Sequence, residues 1–140
     1  MGIKLEYLED LRFRAYSDEN NGYSILLDTS KESGGSGEGM RPMDLILVSL
    51  AGCSSMDIIS ILKKKRQNVV DYNVSVTGEK ADTHPRVFTK ITIIYTIRGK
   101  NIEEQAVKRA IELSKDKYCS VWAMLKGAID IKWSYRIENC

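Results

Sequence analysis

The sequence predicts an α+β fold, and three observations predict it. Apolar residues alternate with polar ones in short segments at both ends of the chain, one long segment near the middle is apolar on almost every helical face, and two shorter helical patterns precede the last alternating segment. Strands and helices therefore come in blocks, in the order βββ–α–ββ–αα–β, as an α+β fold requires.

The first strands alternate through Ile3, Leu5 and Tyr7, through Leu11, Phe13 and Ala15, and through Tyr23, Ile25 and Leu27. Asn21-Gly22 lies between the second and third, and this dipeptide readily takes the positive φ angles of a tight turn, so a hairpin is expected there. Residues 29–41 are rich in Ser and Gly, including Gly34, Gly35, Gly37 and Gly39, and read as a flexible loop. Pro42 suits the first position of a helix, where its missing N–H costs nothing, and Asp44 suits the positive end of the helix dipole. The helix over 42–66 carries Leu45, Ile46, Leu47, Val48, Leu50, Ala51, Met56, Ile58, Ile59, Ile61 and Leu62 on nearly every face, so protein should enclose it until about Ser60. The run Lys63-Lys64-Lys65-Arg66 then complements the dipole at its C-terminus.

Over residues 69–138 the order is ββααβ. Val70, Tyr72, Val74 and Val76 alternate on one strand, and Val87, Ile91, Ile93, Tyr95 and Ile97 on the next, which suggests a second, antiparallel sheet. Between them His84-Pro85 reads as a turn. Ile102, Ala106, Ala110 and Leu113 mark an amphipathic helix, Val121, Met124 and Leu125 a shorter one stopped by Gly127, and Ile129, Ile131, Trp133, Tyr135 and Ile137 a last strand.

At 140 residues with 43% hydrophobic positions the chain is the size of one domain with a core of its own, read here as residues 1–140 with strands at 1–28. A net charge of +2, from 21 basic and 19 acidic residues, gives no field suited to polyanions, so no nucleic-acid partner is expected. The N-terminus alternates polar and apolar residues unlike a signal peptide, and the longest apolar run, Leu45 to Cys53, is short for a bilayer, so a soluble cytoplasmic protein with no membrane partner is expected. Three cysteines in a reducing compartment are core filler or redox chemistry rather than a disulfide framework.

Several chemistries fit poorly. Cys53, Cys119, Cys140 and His84 offer no paired metal-ligand spacing, so no metal and no cofactor are expected. The glycine-rich stretch lacks the Gly-Lys-Ser/Thr of a phosphate loop, and no Gly-x-Ser-x-Gly elbow accompanies the single His. The thiols remain. Cys53 lies within the apolar helix, where a cysteine on its own more often packs than reacts. Cys119 precedes the short helix, whose amides and dipole, with Lys115 and Lys117 nearby in sequence, would favour a thiolate. Cys140 reads as an incidental thiol on a mobile terminus.

Pro42-Met43-Asp44-Leu45-Ile46-Leu47-Val48-Ser49-Leu50-Ala51-Gly52-Cys53, followed by Lys117-Tyr118-Cys119-Ser120-Val121, resembles the OsmC/Ohr family of osmotically inducible and organic hydroperoxide resistance proteins, in its OsmC-like branch. The resemblance covers about residues 23–138. It implies an intertwined homodimer with interface active sites, in which Cys53 is the peroxidatic thiol and Cys119 the resolving one. It also implies organic hydroperoxides as substrates and a small dithiol or lipoyl-type reductant. Sulfenic acid at Cys53 would condense with Cys119 to a disulfide, chemistry that two neighbouring thiols support. In the Ohr pattern a glutamate directly after the proline positions an arginine beside the peroxidatic thiol. Here Met43 holds that place and the acid is Asp44, a rotation of about 100° around a helix. Asp44, Arg41, Arg14 and Arg12 are the candidate supporting residues. The departure at Met43 keeps a second reading alive, a redox sensor or apolar small-molecule binding protein of the same fold.

Overall fold

The structure, a computed structural model, describes residues 1–140 apart from the side chains of residues 20 and 21. The chain forms two compact units, residues 1–46 and residues 47–140.

In the N-terminal unit β1 (Ile3–Glu9), β2 (Arg12–Ser17) and β3 (Asn20–Leu27) make an antiparallel sheet in sequence order. The expected β2–β3 hairpin forms, but Ser17 pairs with Asn20, so the turn falls at Asp18-Glu19 and the Asn21-Gly22 pair expected to make it lies within β3. Tyr7 faces Phe13 across β1 and β2 with ring centroids 5.4 Å apart, the cross-strand aromatic pairing that stabilises such sheets.

The segment after β3 is ordered, against the expectation of a flexible loop. Met40 returns beside β3, its N–H donating to the Leu26 carbonyl at 2.9 Å while the Asp28 N–H donates to the Met40 carbonyl at 3.0 Å. Inside this turn Asp28 is buried, and its carboxylate accepts the backbone N–H groups of Thr29 (2.7 Å), Ser36 (3.2 Å) and Glu38 (3.1 Å). Burial alone would raise the Asp28 pKa, but the donors from Glu38, Thr29 and Ser36, with the charge of Arg12, outweigh it and lower it. The glycines let the backbone wrap this carboxylate: a Cβ on Gly35 would stand 2.6 Å from Asp28 Oδ1, and Gly34 takes a φ of 93°. Composition pointed to flexibility because it could not reveal that one acid collects these amides.

At the start of the long helix α1 (Pro42–Lys64) the Asp44 carboxylate accepts the Arg41 N–H at 3.2 Å, and the Asp44 N–H donates to the Arg41 carbonyl at 2.9 Å. It ends as the chain turns through Arg66, in the left-handed region at φ 57°, with the Gln67 N–H donating to the Leu62 carbonyl.

In the C-terminal unit β4 (Asn68–Lys80) and β5 (Phe88–Lys100) are antiparallel, and β6 (Asp130–Asn139) lies on the other side of β5. β6 runs parallel to β5, which corrects the expected antiparallel sheet to a mixed one. The physical reason lies in the connection. α2 (Glu104–Leu113), a π-helical turn (Ser114–Tyr118) and α3 (Ser120–Leu125) carry the chain back over the sheet, as a parallel crossover demands. β5 is the centre of the core: Ile91, Ile93, Tyr95 and Ile97 are fully buried on one face, together with Val107, Ala110 and Ile111 of α2 and Trp122 of α3.

α1 is less enclosed than its composition suggests. Only Leu50, Ser54, Ile58 and Leu62 are buried, a single stripe at four-residue spacing, whereas Val48 and Met56 are exposed, Met56 by 77%. The expectation of cover on all faces is not met within one chain, because one sheet and two short helices offer it only one side. By length and composition α1 could also cross a bilayer, with 23 residues and a mean hydropathy of 2.0 in its most apolar window; counting only the run Leu45 to Cys53 understated it.

Candidate functional site

Two elements of the C-terminal unit bring the thiols together. Cys53 lies on α1, half-buried, next to the buried stripe. Cys119 follows the π-helical turn, an insertion that often marks functional sites, and caps α3. Its N–H donates to the Ser114 carbonyl at 2.8 Å, and its Sγ accepts the Trp122 N–H at 3.3 Å. The helix start expected at Ser120 is therefore found, with the thiol as its N-cap.

The sulfurs of Cys53 and Cys119 and a carboxylate oxygen of Asp57 all lie within 4.8 Å of one another. Both cysteines carry free thiols. Sequence reasoning missed Asp57, although the signal was available. It follows Cys53 by four residues, one helical turn, and so projects from the same side of α1.

A polar network locks this part of α1 to its neighbours. Ser114 donates through Oγ to Asp57 Oδ2 at 2.9 Å, and Ser54 Oγ bonds the Tyr95 hydroxyl at 2.7 Å and donates to the Leu50 carbonyl at 2.8 Å. The Tyr72 hydroxyl donates to Ser55 Oγ at 2.9 Å. The Ser54 bonds to Tyr95 and the Leu50 carbonyl are buried, so they are made without competition from water. Burial raises the Tyr72 phenol to about 12, tempered by its bond to Ser55, and raises Tyr95 further. Both phenols stay protonated at neutral pH.

Cys119 differs from expectation. The dipole of α3 and nearby lysines were expected to favour its thiolate, but burial pushes its pKa up to about 11. The Trp122 N–H lowers it, the interaction with Cys53 raises it again, and burial wins because Cys119 is only 2% exposed. The lysines are engaged elsewhere: Lys115 pairs with Asp116, and the Lys117 ammonium sits 5.3 Å from the Tyr118 ring centroid. Cys140 is exposed, and it is less free than a mobile terminus, since its N–H donates to the Gly99 carbonyl at 2.9 Å.

The candidate supporting residues all belong to the N-terminal unit, where each has an ionic partner. Arg12 pairs with Glu38 and, at 2.7 Å, with Glu9; Arg14 lies 3.8 Å from Glu6; Arg41 Nε lies 3.5 Å from Asp44. Asp44 thus orients Arg41 at the start of α1.

Two grooves flank α1 in the C-terminal unit. One, of about 370 Å³, opens on Asp57 between Ser60, Ile61, Lys64, Leu113 and Tyr118. The other, of about 520 Å³, is lined by Ser55, Met56, Ile59, Ser60, Lys63 and Tyr72.

The family model described as OsmC-like protein matches residues 35–134. Protein YhfA of Escherichia coli K12 is 38% identical over 138 residues, 98% of each chain. Among solved structures, a hypothetical protein of Aquifex aeolicus VF5 superposes with a TM-score of 0.80 at 34% identity, over 98% of this chain and 96% of that one. A Legionella pneumophila protein described as an organic hydroperoxide resistance protein OsmC shares the fold at a TM-score of 0.69 and 14% identity, over 96% of this chain and 94% of that one. The mixed α+β architecture, the motifs around Cys53 and Cys119 and these likenesses agree: the chain belongs to the OsmC-like protein family.

Proposed function

We propose that this protein is a thiol-dependent peroxidase that reduces organic hydroperoxides. The carrying observation is the approach of Cys53, Cys119 and Asp57 within 4.8 Å. Cys53, the more accessible thiol, meets the peroxide: its thiolate attacks the terminal oxygen, the O–O bond breaks, and Cys53 sulfenic acid forms while the departing alkoxide takes a proton from water and leaves as the alcohol. The Cys119 sulfur then attacks the Cys53 sulfur, forming the disulfide and releasing water. With its pKa at about 11, Cys119 enters this step as a thiol and must lose its proton, and the Asp57 carboxylate stands where it can take it. A small dithiol or lipoyl-type reductant restores the two thiols by exchange. The apolar wall of the grooves along α1 suits an alkyl tail better than hydrogen peroxide.

The same reading makes the protein a cytoplasmic homodimer acting as a single-domain fold. The uncovered apolar faces of α1 support association, since large exposed apolar surfaces on a soluble chain usually meet a partner.

The test adds stoichiometric tert-butyl hydroperoxide to reduced protein and maps the Cys53–Cys119 linkage by mass spectrometry. Rapid loss of two hydrogens at that pair supports the proposal; unchanged thiols reject it. A second reading, an apolar-ligand binding protein or redox sensor, is favoured by the groove holding Met56, Ile59 and Tyr72 and by the pairing of every candidate arginine with an acid. A co-purifying apolar ligand in native mass spectrometry, without peroxide turnover, would select it.

A further inference from the structure

We infer that the reduced site is also a zinc site, with Cys53, Cys119 and Asp57 as its three protein ligands. The donor set is two sulfurs and one carboxylate oxygen, mutually within 4.8 Å. Tetrahedral zinc, with bonds near 2.3 Å to sulfur and near 2.1 Å to oxygen, places ligand atoms roughly 3.6–3.8 Å apart, so side-chain rotation of about 1 Å closes the site. Cys53 and Asp57 are one turn apart on α1, the spacing by which a helix offers two ligands to one ion, and Cys119 completes the set from the start of α3.

The surroundings are those of a supported site. Ser114, fully buried, donates to Asp57 Oδ2 at 2.9 Å and so fixes one carboxylate oxygen while the other stays available. The Trp122 N–H already donates to Cys119 Sγ at 3.3 Å, which stabilises negative charge on that sulfur. The groove beside Asp57 gives an entry path, and the fourth coordination position is left to water or an added thiol. Thiolates with a carboxylate select zinc over calcium or magnesium, which take oxygen ligands only. Lys64 and Lys65 on the groove wall repel an incoming cation, so loading should quicken as salt screens them.

Binding replaces two thiol protons with one zinc ion; oxidation of the bound thiolates by a hydroperoxide would take up two protons, form the disulfide, and release the ion, an alcohol and water. Zinc binding needs only the reduced thiols, so it stands or falls separately from peroxide turnover.

The experiment uses the full chain with Cys140→Ser, which removes the exposed thiol. Reduced protein is titrated with zinc against a chromophoric chelator, and separately with cobalt(II). One zinc per chain is expected, with sulfur-to-cobalt charge transfer in the near ultraviolet and the strong visible bands of tetrahedral cobalt. Disulfide-oxidised protein should bind none. Ser114→Ala should weaken zinc by about tenfold and Asp57→Asn by more. Absence of stoichiometric zinc overturns the inference, as does a Cys53→Ser protein that still binds one equivalent, or an Asp57→Asn protein with unchanged affinity and spectrum. Should Asp57→Asn fail to fold, the cobalt spectrum of the parent decides, since octahedral or sulfur-free bands reject the site.

Discussion

Two aspartates, one in each unit, show how the same side chain becomes scaffold or chemistry. Asp28 is saturated: three backbone N–H groups converge on its carboxylate and hold it charged, and the Gly/Ser segment is shaped by that convergence. Asp57 receives the Ser114 hydroxyl as a donor on one oxygen and faces two thiols. A carboxylate whose lone pairs are all occupied can only organise backbone. One with capacity left, beside protonated sulfur, can accept a proton or a metal.

The contrast can be broken most forcefully at the thiols. Cys53→Ser should abolish consumption of cumene hydroperoxide in a coupled dithiol assay, whereas Cys119→Ser should still form the sulfenic acid and trap it for dimedone labelling. Next in size, Asp57→Asn should slow disulfide formation by roughly 10²-fold. It should also steepen the pH profile to about tenfold per unit below pH 11, because hydroxide must then deprotonate Cys119. Stopped-flow rates from pH 6 to 9 would show this, and equal slopes in parent and variant would remove Asp57 from the step.

On the scaffold side, Ile58→Ala at the fully buried stripe of α1 should cost about 2–5 kcal/mol in chemical denaturation. Gly35→Ala forces a Cβ against the Asp28 carboxylate and the Thr29 carbonyl, and should cost about 1–3 kcal/mol while quickening proteolysis within residues 29–41. If it does neither, the Asp28 loop is softer than its hydrogen bonds imply. The smallest effect is with pH. Cys119 in the folded chain holds its proton to about 11 against an ordinary 9.0, so its stabilisation is complete below about pH 9 and is lost as the pH rises toward 11. The melting temperature should fall across that window, and less so in Cys119→Ser.

Much of this was legible in the chain. Period-two and helical patterns located the strands and the three α-helices, because local burial repeats with the geometry of each element, but not the π-helical turn at Ser114–Tyr118. Cys53 and Cys119 were singled out by motif. Asp57 was overlooked because an acid within an apolar helix looks like solvent-facing punctuation until Ser114, 57 residues further on, is seen to bond it. The order of the 29–41 loop was hidden for the same reason, since its amides are satisfied by an acid that precedes them rather than by any pattern within the loop.

By itself, then, the sequence determined the elements, their order and the family motifs, all of which depend on residues near one another in the chain. Only the tertiary structure decided that β6 lies parallel to β5, that α1 buries one stripe and leaves the rest uncovered, and that two sulfurs and a carboxylate share one small volume. Such features depend on long-range closure, where the burial of one surface sets which distant groups meet and whether a thiol keeps its proton.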